Sequence, residues 1–157
     1  MLASVKWNGR MSFTGNSESG FPVALDADRL AGGDNSAVRP LEMIALGLAG
    51  CTAMDVISIM QKKHQEVTSF DVQVDAARAH EYPKVFTNAV IRYTVVGRNV
   101  DEGALVRAIE LSVVKYCPAY AMLVKAFPME LRFTIYEDGP QPVLIKEAVM
   151  ELPKINS

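Results

Sequence analysis

The chain is poor in the residues that usually announce chemistry. Among its 157 positions there are two cysteines, two histidines and one tryptophan. There is no CxxC pair, and His64 and His80 stand at no ligand-like spacing from Cys51 or Cys117, so the sequence carries no zinc signature. No apolar run reaches the roughly 18 uninterrupted residues of a membrane span. Excess positive charge is missing too: 16 basic against 18 acidic residues give a net charge of −2, which argues against a nucleic-acid partner. "GGDN" at 32–35 lacks the strand–loop–helix setting and the lysine of a phosphate loop, and no Ser–His–Asp spacing is defensible. The opening "MLASVKWNGRMSF" shows no basic segment followed by an apolar one. The expectation is a protein without a signal peptide, a membrane segment or a cofactor, kept reduced in the cytoplasm.

What is present reads as one α+β domain over residues 1–137, with 138–157 as a C-terminal extension packed on it or trailing from it. Residues 4–8 and 10–15 flank a glycine turn and predict a hairpin, with "FPVALDA" as a third strand. "RLAGGDNSAV" is loop chemistry. Pro40 suits the first position of a helix, which runs to about His64. Apolar residues nearly encircle it, as in a helix at the centre of a structure or between subunits. Gly47 and Gly50 each cost about 1 kcal/mol relative to alanine, and a close backbone approach near Cys51 would offset that.

"FDVQVDA" alternates as a half-buried strand does, and "AVIRYTVVG" is rich in β-branched residues. Joined across "HEYPK", they predict an antiparallel hairpin. Asp101 is a natural N-cap for a helix over 102–116. "CPAYAM" breaks that helix and starts another, "MELRFTIYE" is a strand, and "VLIKEAVMEL" is either a helix or an added strand.

The two cysteines hold most of the functional information. Cys117, before Pro118, sits where an N-cap would. The following helix would aim unpaired N–H groups at its sulfur and favour a thiolate, with Lys115 a possible additional charge. Cys51 is mid-helix with Asp55 one turn on, and a carboxylate there works against a thiolate. A reactive Cys51 therefore needs a cation, for which Arg10, Arg29 and Arg39 are candidates. The plain alternative is two buried thiols acting as small hydrophobes.

"RPLEMIALGLAGCTAMDVISIMQKK", followed by "LSVVKYCPAYAML" with its cysteine 66 residues after Cys51, resembles the OsmC/Ohr family. These are the osmotically inducible protein C and organic hydroperoxide resistance proteins, and the pattern is most similar to the YhfA-like branch. The resemblance runs from about Val5 to Tyr136. It implies an intertwined homodimer whose long apolar helices pack centrally against mostly antiparallel sheets. It also implies a two-cysteine peroxidase for oxidative-stress defence. In that cycle Cys51 attacks an organic hydroperoxide and becomes a sulfenic acid, Cys117 resolves it to a disulfide, and an external dithiol reduces the disulfide. Family peroxidases carry a glutamate ten residues before the first cysteine, where this chain has Leu41. Glu42, Arg29 and Arg39 are the auxiliary candidates, and Glu42 doubles as a first-turn carboxylate favouring the helix N-terminus. The competing function is a non-catalytic dimer of the same fold that binds a small apolar ligand, with structural cysteines.

Overall fold

The computed structural model describes residues 1–151. The chain forms two compact units, Met1–Leu46 and Gly47 onward. The first holds a three-stranded antiparallel sheet of β1 (Ala3–Gly9), β2 (Ser12–Ser17) and β3 (Val23–Leu25), in that order. Trp7 faces Phe13 across the hairpin. Gly9 and Arg10 both turn with positive φ (116° and 48°), and the Trp7 indole donates to the Arg10 carbonyl at 2.8 Å.

The polar segment after β3 is a built loop organised by Asp26, which is 3% exposed. Its Oδ1 accepts from the Ala27 N–H at 2.8 Å. Its Oδ2 accepts from the Asp34 N–H at 3.1 Å, the Ser36 N–H at 3.0 Å and the Ser36 hydroxyl at 2.8 Å. Asp28 caps a single 3₁₀ turn at Arg29–Ala31. Gly33 is required here because a methyl at its Cα would run into the Ala27 carbonyl oxygen. From the hairpin turn, Arg10 pairs with Asp34 at 2.6 Å.

Helix α1 (Pro40–Lys62) starts in the first unit and continues through the second. Its best 18-residue window has a mean hydropathy of 1.8, so by length and composition alone it could cross a membrane. Leu48, Val56 and Met60 are instead buried in the core of the second unit. The helix ends in a Schellman arrangement. The Gln65 N–H reaches the Met60 carbonyl, the His64 N–H reaches the Gln61 carbonyl, and His64 takes the left-handed conformation usually given to glycine. The helix-end histidine thus serves through its backbone.

The second unit's sheet runs in the order β4 (Glu66–Arg78), β5 (Phe86–Arg98), β6 (Met129–Glu137), β7 (Val143–Met150). β4–β5 and β6–β7 are antiparallel, while β5–β6 is parallel. The expected antiparallel hairpin and final strand are therefore present, and the apolar tail segment is a strand. Residues 152–157 of the expected extension lie outside the described residues. Alternation decides which side packs: Ala89, Ile91, Tyr93 and Val95 of β5 and Leu131, Phe133 and Ile135 of β6 are buried. A parallel pair needs a crossover. Here it is made of α2 (Glu102–Leu111), a π turn (Ser112–Tyr116) and α3 (Pro118–Leu123). Asp101 caps α2 by accepting from the Ala104 N–H at 2.7 Å. The helix expected over 102–116 is correct in extent, but its last turn widens to π geometry.

Four donors around one carboxylate predict acid sensitivity in the first unit. Hydrogen bonding, led by Ser36, holds the Asp26 pKa at about 2, below its ordinary 3.8. The folded state is the weaker proton binder, so this stabilisation is complete above 3.8 and is lost as pH falls through about 2. Asp26→Asn is expected to lower the Tm at neutral pH and to flatten the Tm-against-pH curve across that window, measured by thermal melts.

Candidate functional site

Cys51 and Cys117 are both free thiols and lie in the second unit. Cys51 projects from the middle of α1 and is half-buried, while Cys117 is 2% exposed within the core. The long sequence separation between them is closed by the crossover, which places Cys117 in the core cluster against which Cys51 packs.

Cys117 is the N-cap residue of α3, in extended backbone geometry, and its sulfur accepts from the Tyr120 N–H at 3.3 Å. The cap expected from the sequence is present, but its expected consequence is not. Burial pushes the Cys117 thiol up to about 12 from its ordinary 9.0, the contact with Cys51 adds to this, and the cap bond offsets only part. Lys115 is exposed, with its ammonium 5.3 Å from the centre of the Tyr116 ring. Cys117 is therefore a protonated, sheltered thiol, and Cys51 is the one with access to solvent.

Four polar side chains, two of them within four residues of Cys51 on α1, are joined by hydrogen bonds. The Ser112 hydroxyl donates to Asp55 Oδ2 at 3.0 Å. Thr52 Oγ1 lies 3.0 Å from Ser112 Oγ and 2.7 Å from Tyr93 Oη. Thr52, Tyr93 and Ser112 are fully buried. Burial pushes the Tyr93 phenol well above its ordinary 10.0, so it keeps its proton. Ser112 also begins the π turn, and its carbonyl accepts from the Cys117 N–H at 2.8 Å. Of these four residues, only Asp55 figures in the sequence reading as part of a site. The available signal for the others was hydroxyl residues at apolar-face positions: Thr52 beside Cys51, and Ser112 where helical spacing calls for an apolar side chain.

The auxiliary candidates have partners of their own. Glu42 Oε2 accepts from the Arg39 N–H at 2.9 Å, and Glu42 Oε1 pairs with the Arg39 guanidinium at 2.8 Å. This is the return half of a capping box, and those bonds from Arg39 hold the Glu42 carboxyl below its ordinary pKa. Arg39 also donates to Asn35 at 2.6 Å, while its buried Nε has no partner among the described residues. Arg29 is exposed on the 3₁₀ turn, without an ion pair among the described residues. Gly47 and Gly50 face open space: an added methyl at either would meet nothing within 4 Å outside the helix's own backbone, so among the described residues no backbone makes the expected close approach.

Comparison with known proteins places this architecture. The OsmC-like protein family matches residues 33–132. Protein YhfA of Escherichia coli K12 is 39% identical over 126 residues, covering 80% of this chain and 91% of that protein. The crystal structure of an OsmC-like protein from Mycoplasma pneumoniae superposes with a TM-score of 0.71 at 18% identity, covering 85% of this chain and 94% of that one. An organic hydroperoxide resistance protein from Elizabethkingia anophelis gives a TM-score of 0.62 at 13% identity, covering 87% and 94%. The two solved structures share the fold, and the sequence match to YhfA is closer than either. By a family match over more than half its length, together with that relative, the chain belongs to the OsmC-like protein family.

Proposed function

We propose that the chain is a thiol-dependent hydroperoxide reductase acting through Cys51 and Cys117. The observation that carries this reading is the placing of two free thiols of unequal burial at one core cluster, Cys51 accessible and Cys117 sheltered. The Cys51 thiolate attacks the distal oxygen of an organic hydroperoxide. The O–O bond breaks, Cys51 becomes a sulfenic acid, and the alkoxide takes a proton from water and leaves as an alcohol. The Cys117 thiol then attacks the Cys51 sulfur, forming the disulfide and releasing water. An external dithiol returns the pair to thiols by exchange, supplying two electrons and two protons. A reducing cytoplasm would keep the pair ready. Glu42 and Arg39 shape the helix start in this reading and take part in neither step.

We further propose that the working form is a homodimer with α1 at its centre. Ile44, Leu46 and Met54 of that helix are exposed, Met54 by 74%, and the bare backbone at Gly47 and Gly50 leaves room for a partner helix. A second reading, a non-catalytic dimer holding a small apolar ligand, is favoured by one observation. A cleft of about 390 Å³ in the first unit is lined by Val5, Phe21, Val23, Leu25, Pro40 and Met43.

Mass spectrometry after one equivalent of cumene hydroperoxide separates the two readings. A Cys51–Cys117 disulfide is expected in the native chain, and none in Cys51→Ser. Two untouched thiols would remove the peroxidase and leave the ligand-binding dimer. At pH 8, iodoacetamide should modify Cys51 in the folded protein and reach Cys117 at a comparable rate only after unfolding. Glu42→Ala should lower the Tm and leave the rate of Cys51 oxidation unchanged. Gly50→Ala meets no atom within the chain, so helix propensity alone adds about 1 kcal/mol of stability. If a partner helix seats there, the same change weakens the dimer by roughly tenfold or more, about 1.4 kcal/mol, measured by analytical ultracentrifugation.

A further inference from the structure

The hydroxyls beside the cysteines obey a strict donor count. Each Ser, Thr or Tyr hydroxyl has one proton to donate. Ser112 gives its proton to Asp55, so the 3.0 Å contact with Thr52 requires Thr52 to donate to Ser112. The proton of Thr52 is then used, and the 2.7 Å contact requires Tyr93 to donate to Thr52. The result is a one-way chain from Tyr93 through Thr52 and Ser112 to Asp55. It ties β5 to α1 and α1 to the start of the π turn.

The chain brackets both thiols. Thr52 and Asp55 follow Cys51 by one and four residues on α1. Ser112 opens the π turn that ends at Cys117 and holds the Cys117 N–H through its own carbonyl. Among the described residues, Ser112 is thus the one bonded both to the helix carrying Cys51 and to the backbone of Cys117. We propose that Ser112 is a positioning residue for disulfide formation: its bonds to Thr52, Asp55 and Cys117 hold the sheltered thiol in line with the Cys51 sulfur. This deepens the two-cysteine reading and rests on it. The step served is the attack of the Cys117 thiol on an oxidised Cys51 sulfur. A misplacement on the order of 1 Å at such a step can cost about 100-fold in rate.

The test uses diamide, an azo oxidant that converts two adjacent thiols to a disulfide and is itself reduced to a hydrazine, so no peroxidase activity is needed. In Ser112→Ala the rate of Cys51–Cys117 disulfide formation should fall by roughly tenfold or more. Iodoacetamide should still modify Cys51 at the native rate, which separates positioning from thiol reactivity. Ser112→Thr, which keeps the hydroxyl, should restore the disulfide rate. Tyr93→Phe, which removes only the first donor, should leave it within about twofold, because Thr52 still donates to Ser112. Should Ser112→Ala fail to fold, Asp55→Asn gives the same reading, since an amide can donate and no longer fixes the direction of the chain. Its disulfide rate should also fall. A folded Ser112→Ala or Asp55→Asn with the native diamide rate overturns the proposal, whatever happens to the Tm. Failure of cumene hydroperoxide to oxidise the native chain, with diamide still closing the pair faster in the native chain than in Ser112→Ala, overturns the peroxidase reading and sustains this one.

Discussion

Two parallel neighbouring strands cannot be joined by a tight turn, and the pairing of β5 with β6 imposes that constraint on the second unit. The chain must leave β5 at Arg98, travel the length of the sheet and re-enter at Met129. Its path is the segment of α2, π turn and α3, whose buried residues join the same core as Leu48, Val56 and Met60 of α1. Cys117 reaches the core cluster against which Cys51 packs because it lies on this obligatory return path. The site depends on the strand order: an antiparallel β5–β6 connection would need no crossover and would carry no second thiol to the helix.

Most of the fold was legible because its signals are local. Period-two alternation in "FDVQVDA", Asp101 ahead of a helix, and proline at positions 40 and 118 each act over a few residues, and each appears in the structure as expected. The long helix was legible from its apolar surface. The widening of α2 into a π turn was not, because Ser112, where it begins, finds its side-chain partners Thr52 and Asp55 far away in sequence on α1. The same applies to the site. The cysteine pair was visible through family resemblance, but the hydroxyl chain joins residues 52, 93 and 112, whose proximity no spacing rule encodes. Glu42 was readable as a first-turn carboxylate because its partner, the Arg39 N–H, is three residues away.

Cys117 shows two rules applied to one atom with opposite results. A helix N-terminus favours a thiolate, and the Tyr120 N–H does point at the sulfur. A buried sulfur loses the hydration its anion needs, and this penalty is larger. Local sequence reports the first effect and is blind to the second. The outcome keeps Cys117 a protonated thiol despite its place at a helix start.

The strand β7 also alters the exposure of its neighbour. Without it, β6 would be the outer strand of the sheet, and β6 is the strand that carries Leu131, Phe133 and Ile135 into the core. A strand that central, left with a free row of backbone donors and acceptors, is a template for pairing with another chain. β7 takes that edge position. It is itself apolar at Val143, Leu144 and Ile145, but Lys146 and Glu147 follow at once, and Lys146 reaches Glu102 at 3.5 Å. Charged side chains on an outer strand oppose the stacking of a second copy. This strand therefore works as a guard on colloidal behaviour, separating β6 from the hazard of open-ended growth.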